Sequence, residues 1–143
     1  MIVVLDANIF LSALIAQHGF PAQILNLWLQ RKFELAISSA IVNEVNRVVH
    51  YPRIRKKYVL PEEEVANYID LISSAEFVVN PSVHLSVIEK DPSDDRYIEC
   101  ALVAKAEYMI TGDSHLIELE RYQGIQILTP ASFIALLGYE GVR

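Results

Sequence analysis

The chain has 143 residues, 52% of them apolar and 21% charged, with a net charge of −6. This size suits one domain built on one core, and the composition excludes a disordered or fibrous chain. An acidic balance also argues against a nucleic-acid partner unless something offsets it, because phosphate binding normally leaves a basic footprint.

The opening MIVVLDANIF carries no basic run before its apolar stretch and reaches Asp6 early, so it fits neither a secretory signal nor a transit peptide. No window approaches the roughly 18 uninterrupted apolar residues of a membrane span. The expected setting is cytoplasmic, with no membrane contact. Within that opening, IVVL (2–5) is a continuous apolar run, β-branched at its first three positions, that reads as a strand buried on both faces.

Residues 8–18 carry a helical pattern, with Gly19 as its stop and Pro21 as the first residue of the next helix, PAQILNLWLQRK. FELAIS (33–38) is the second strand. Ser38 or Ser39 can cap a helix that carries Ile41, Val42, Val45, Val48 and Val49 at helical spacing, and Pro52 limits it. PEEEVANYIDLISSA (61–75) begins with a proline and three glutamates, which suit the positive end of a helix dipole, and presents Val65, Ile69 and Ile72 to a core.

EFVV (76–79) is a short strand. DPSDD (91–95) opens a helix with Ile98, Ala101, Leu102 and Ala106 on one face. YMIT (108–111), a short helix near HLIELE, the strand IQIL (125–128) and a closing helix PASFIALL complete the chain. Strands separated by helices imply parallel pairing with right-handed crossovers. The fold class read from this order is α/β, a three-layer α/β/α sandwich with a mostly parallel central sheet, in one domain spanning 1–143.

Asp6 follows the first strand directly and Asp113 follows YMITG, so both stand just beyond the carboxyl ends of parallel strands, where open α/β sheets bind ligands. Glu44 borders the apolar stripe of its helix, one turn before Val48. DPSDD begins the helix that precedes YMIT. Four segments therefore deliver carboxylates toward one end of the sheet.

Each acid taken alone has a bland explanation. Asp6, Asp113 and Ser93 or Asp94 suit helix caps or turns, and Glu44 suits an amphipathic face. Capping does not ask that all four lie at one end. Crowded carboxylates repel unless they are protonated or hold a cation, and oxygen donors select Mg²⁺ or Mn²⁺ over zinc. The four histidines, 18, 50, 84 and 115, are scattered and form no H-x-x-x-H pair. Magnesium sites commonly also hold substrate phosphates, which offsets the objection raised by the net charge.

Five of the twelve Lys and Arg residues fall in VNRVVHYPRIRKKYV: Arg47, Arg53, Arg55, Lys56 and Lys57. A solvated helix end and loop explains them; a guide for a phosphate backbone is the functional reading. Cys100, the single cysteine, can make no internal disulfide and reads as a small core residue.

These residues resemble the PIN-domain ribonucleases, in particular the VapC-like toxin components of prokaryotic toxin–antitoxin pairs. The resemblance runs over nearly the whole chain: VVLDANIFLSAL, SSAIVNEV, DPSDDRYIECALVAKAEYMITGD and the closing ILTPASFIALL. It implies that Asp6, Glu44, Asp95 and Asp113 form an acidic, metal-binding quartet, with Asn8 and Thr111 as polar supports. Helical spacing does not choose between Asp94 and Asp95; the family pattern, an acid eighteen residues before the final aspartate, favours Asp95. Ala7 stands where many relatives carry a threonine.

The same resemblance implies Mg²⁺- or Mn²⁺-dependent cleavage of RNA, a small antitoxin protein as partner, and a homodimer. Other acidic α/β sites fit less well. A receiver domain needs an acidic pair after the first strand and a lysine after the last, and a haloacid-dehalogenase-like phosphatase needs D-x-D where this chain has Asp6-x-Asn8. Neither nucleotide-binding glycine motif occurs. A catalytically silent binding protein on the same fold is the alternative of a different class.

Overall fold

A computed structural model of the protein describes residues 1–82, 85 and 94–138. Four strands follow the expected apolar runs: β1 (Ile2–Leu5), β2 (Glu34–Ser38), β3 (Phe77–Val79) and β4 (Tyr108–Ile110). Between them come helices α1 (Ala7–Ile15), α2 (Phe20–Leu29), α3 (Ser39–Val49), α4 (Pro52–Tyr58), α5 (Glu62–Ser73) and α6 (Asp95–Ala104). Helix α7 (Ser114–Leu119), strands β5 (Arg121–Tyr122) and β6 (Ile125–Leu128), and helix α8 (Pro130–Leu136) follow.

Among the described residues the strands form one six-stranded sheet in the order β3-β2-β1-β4-β6-β5, parallel except where β5 meets β6. The chain moves outward from β1 through β2 to β3, then returns to the other side of β1 with β4. Right-handed crossovers therefore place α1–α5 on one face and α6 on the other. The order reverses between β1 and β4, and at such a switch point the connections leaving the two strands diverge and open a crevice at their carboxyl ends.

Coverage on both faces explains the unbroken apolar strands. Val3, Val4, Leu5, Leu35, Ile37, Met109 and Ile110 have no exposed surface, and each such side chain contributes about 1.5–3 kcal/mol relative to exposure. At the opposite end of the sheet Phe133 of α8 meets Phe33 edge to face, with centroids 5.4 Å apart, and α8 packs on α2. Cys100 is fully buried, and burial pushes its thiol up to about 12, so it is an inert core residue.

Local capping sets several boundaries. Ser38, not Ser39, caps α3 by accepting from Ile41 N–H. The first helix ends at Ile15, short of residue 18, and Ala106 lies beyond the end of α6. Two elements depart from the sequence reading. Residues 52–58, read as part of a helix end and loop, form α4, because Pro52 both prevents α3 from continuing and suits the first turn of a new helix. An antiparallel edge strand, β5, joins β6 through Gln123 and Gly124, both at positive φ (46° and 85°), the backbone of a tight two-residue hairpin.

Candidate functional site

Register builds the centre of the site. Leu5 pairs with Ile110, and Asp6 N–H continues that ladder by donating to the Ile110 carbonyl at 3.1 Å. Asp6 and Thr111 are therefore neighbours at the adjacent strand ends, although 105 positions separate them in the chain. The Thr111 hydroxyl donates to Asp6 Oδ2 and accepts from Asp113 N–H at 3.0 Å. One buried hydroxyl thus orients both of the strand-end aspartates.

Asp6 also accepts from Ile9 N–H at 3.1 Å, capping α1, and Asp113 Oδ1 accepts from His115 and Leu116 N–H at 2.9 and 3.2 Å, capping α7. The capping explanation is correct for both residues, and it is compatible with convergence: one carboxylate can close a helix while presenting its remaining lone pairs to a crevice. Asp6 is only 2% exposed. That burial pushes its carboxyl above its ordinary value, against the Thr111 hydroxyl and the Ile9 and Asn8 backbone, with the charge of Glu44 adding to the rise.

Glu44 enters from α3, half-buried beside the stripe of Ile41, Val45 and Val49. It accepts a hydrogen bond from the Tyr97 hydroxyl at 2.8 Å, and that hydroxyl receives Ala7 N–H at 3.4 Å. Burial first, and then the charge of Glu44, raise the Tyr97 hydroxyl well above its ordinary value, so it stays protonated and stays a donor. Tyr97 is absent from the sequence reading. An aromatic ring at helical spacing reads as core, and only its contact with Glu44 marks it.

Asp94 precedes α6 at the N-cap position without capping it, and Asp95 is the first helical residue; both are buried. Asp91 and Ser93 of DPSDD lie outside the described residues. Asp94, Asp113 and His115 each offer one ligand atom, and the three atoms lie within 4.8 Å of one another. Asp95 is not part of that group. His115 is invisible to a search for H-x-x-x-H, which ignores a D-x-H step across a helix start.

Asn8 is exposed. Arg47 lies exposed in the last turn of α3, one turn beyond Glu44, while Arg53, Lys56 and Lys57 are exposed on α4. Arg55 is instead tied to Glu62 of α5 at 2.6 Å, and Glu62 also meets His50 at 2.9 Å.

The residues fit a divalent cation. They supply carboxylate oxygens and one imidazole nitrogen, together with a buried carboxylate whose ionised form is disfavoured until positive charge arrives. Residues 2–115, which hold every one of these side chains, match the PIN domain family.

The chain belongs to the PIN-domain family. PIN domains are generally nucleases. An uncharacterized protein of Methanocaldococcus jannaschii is 34% identical over 140 residues, covering 92% of this chain and 88% of that one. The PIN fold is also similar to a chain in the crystal structure of VapBC2 from Rickettsia felis bound to a DNA fragment from its promoter. The TM-score is 0.59 at 18% identity, covering 90% of this PIN-domain chain and 98% of that chain, a likeness of fold. No helix among the described residues is long and apolar enough to cross a membrane.

Proposed function

We propose that this PIN-domain chain is a metal-dependent endoribonuclease and the toxin component of a toxin–antitoxin pair. The observation that carries the reading is a pair of contacts at the sheet's switch point: Thr111 ties the Asp6 carboxylate to the Asp113 backbone, and Tyr97 ties Glu44 to the Ala7 N–H, next to Asp6. A fold that needed these acids only as caps has no use for wiring them together. The VapBC2 likeness supports the choice of an antitoxin partner, and the family supports hydrolysis of a phosphodiester.

In this reading Asp6, Glu44, Asp95 and Asp113 are the catalytic acids, Asp94 stands beside them, and Mg²⁺ or Mn²⁺ is the cofactor. A bound divalent cation supplies Lewis acidity and a water of lowered pKa. The chain's own residues prepare that chemistry. Thr111 holds Asp6 and the Asp113 backbone in one orientation, Tyr97 keeps Glu44 from swinging out to solvent, and Asp6, kept from water, gains most from a cation. The cationic residues of α3 and α4, Arg47, Arg53, Lys56 and Lys57 with Arg55 behind them, guide the RNA backbone toward the acids against the repulsion of a net charge of −6.

The test is cleavage of a labelled single-stranded RNA by the purified protein, with Mg²⁺ or Mn²⁺ and with chelator, beside Asp6→Asn. Cleavage that requires added cation and disappears in the variant supports the reading. Equal cleavage by the variant, or cleavage undiminished in chelator, removes it.

A further inference from the structure

We propose that His115 is a nitrogen ligand of the same cation, beside Asp94 and Asp113, and that it makes the centre select Mn²⁺ over Mg²⁺. This rests on the reading of the acidic centre as a metal site. It adds a residue to the expected quartet, and with it a preference that carboxylates alone do not create.

Three observations point to the imidazole. One atom from each of Asp94, Asp113 and His115 lies within 4.8 Å of the others. Bonds of about 2.0–2.2 Å place ligands of one cation roughly 3 Å apart when adjacent and roughly 4.2 Å apart when opposite, so the three side chains would draw together on binding. Secondly, His115 Nδ1 is shielded from solvent and has no hydrogen-bond partner among the described residues. It lies 3.9 Å from Asp113 Oδ1, too far for a hydrogen bond, and a shielded ring nitrogen left unsatisfied is costly. Thirdly, the turn between the two residues is held by backbone. Asp113 Oδ1 accepts from the N–H groups of His115 and Leu116, so both side chains leave the same capped turn.

The selectivity follows from donor chemistry. Mg²⁺ takes oxygen ligands in a strict octahedron and parts reluctantly with its water, so an imidazole adds little to its binding. Mn²⁺ accepts nitrogen more readily and stands at the start of the series in which affinity for such donors rises. A neutral imidazole in place of a further carboxylate also lowers the repulsion at the centre.

The experiment titrates the full-length protein with Mn²⁺ alone and with Mg²⁺ alone by calorimetry, in the parent, His115→Ala and His115→Asp. Electron spin-echo spectra of the Mn²⁺-loaded parent are recorded for coupling to nitrogen. His115→Ala keeps the backbone N–H that closes the cap, and a metal-free melting temperature equal to the parent's shows that the fold persists. The expected result is nitrogen coupling in the parent, lost in the variants. Mn²⁺ affinity should fall at least about tenfold in His115→Ala with much less change for Mg²⁺, the loss of a ligand costing no less than the loss of a residue that merely supports one. His115→Asp, an all-oxygen site, should narrow the Mn²⁺/Mg²⁺ ratio. Equal Mn²⁺ affinity and ratio in parent and His115→Ala, or Mn²⁺ bound without nitrogen coupling, overturns the assignment and leaves a carboxylate metal site standing. A parent that binds neither cation overturns both.

Discussion

The Tyr97 hydroxyl donates a 2.8 Å hydrogen bond to Glu44 Oε1, joining the first turn of α6 to the middle of α3. Glu44 is only half-buried, and without this donor its flexible side chain is free to turn toward solvent. Tyr97→Phe should therefore cost about 1.5–3 kcal/mol of stability, the usual range for a hydrogen bond to a charged group. It should reduce RNA cleavage more than it reduces RNA binding. Urea denaturation together with single-turnover cleavage checks both, and a variant with undiminished cleavage would show that Glu44 needs no such positioning.

Thr111 has no exposed surface and serves two partners at once. Thr111→Val keeps the shape but leaves Asp6 without its hydroxyl donor and Asp113 N–H without an acceptor, at a cost of about 1–3 kcal/mol. Thr111→Ser keeps the hydroxyl and should lose markedly less. The comparison is read from chemical denaturation midpoints. Equal midpoints for the two variants would mean that the methyl group, not the hydroxyl, is what matters there.

Asp6 is the group whose ionisation opposes folding. Because burial raises its carboxyl above the ordinary value, its contribution to stability is present below that ordinary value and is lost as pH rises through the raised one. In chelator at neutral pH, Asp6→Asn should therefore melt at or above the parent, with a flatter dependence on pH. Saturating Mn²⁺ should raise the parent's melting temperature and leave the variant's nearly unchanged; binding at 100 times the dissociation constant is equivalent to about 2.7 kcal/mol. Melting curves across pH, with and without the cation, decide it. A variant that melts well below the parent in chelator would mean that the cap and the Thr111 bond outweigh desolvation.

Adjacent aspartates give opposed expectations. Asp94 belongs to the group with Asp113 and His115, whereas Asp95 is buried in the first turn of α6 and matches the family spacing. Asp94→Asn should weaken Mn²⁺ binding in calorimetry. Asp95→Asn, if Asp95 is the catalytic acid of the quartet, should reduce cleavage at saturating cation at least as strongly. An Asp95→Asn protein with the parent's cleavage rate would move the catalytic role to Asp94.

The cationic surface makes a separable prediction. Replacing Arg53, Arg55, Lys56 and Lys57 together with glutamine should weaken RNA binding and flatten its salt dependence, roughly one unit of log–log slope for each phosphate no longer neutralised. The weakening should be nearly independent of RNA sequence, because groups that touch only the phosphate backbone do not read bases. Arg55 is held by Glu62, so Arg55→Gln alone should change the slope least. Titrations with Ca²⁺ in place of Mg²⁺ read binding without cleavage. An unchanged slope in the quadruple variant would place the RNA path on another surface.

The strands and most helices are readable along the chain because their causes are local. IVVL and YMI are apolar on consecutive residues, as strands covered on both faces must be, and Ser38, Pro61 and Thr129 mark helix starts through chemistry confined to one turn. Helix α4 is illegible for an equally local reason. Its residues are charged on nearly every side, it buries none of them fully, and a helix held by its neighbours α3 and α5 has no stripe to announce it.

That acids follow strand ends and begin helices is written along the chain, since a short apolar run followed by Asp6 or by Thr111-Gly112-Asp113 has only one end at which to place them. Which of them come to share a partner depends on how the whole chain packs. Pairing Leu5 with Ile110 puts Asp6 beside Thr111, and the packing of α3 and α6 at that edge brings Tyr97 to Glu44. The same closure sets Asp94 and His115 around Asp113. Strand register and helix packing are chosen by the burial of the whole apolar set, a sum over residues far apart in the chain. No local spacing encodes which polar side chains that choice leaves facing one another.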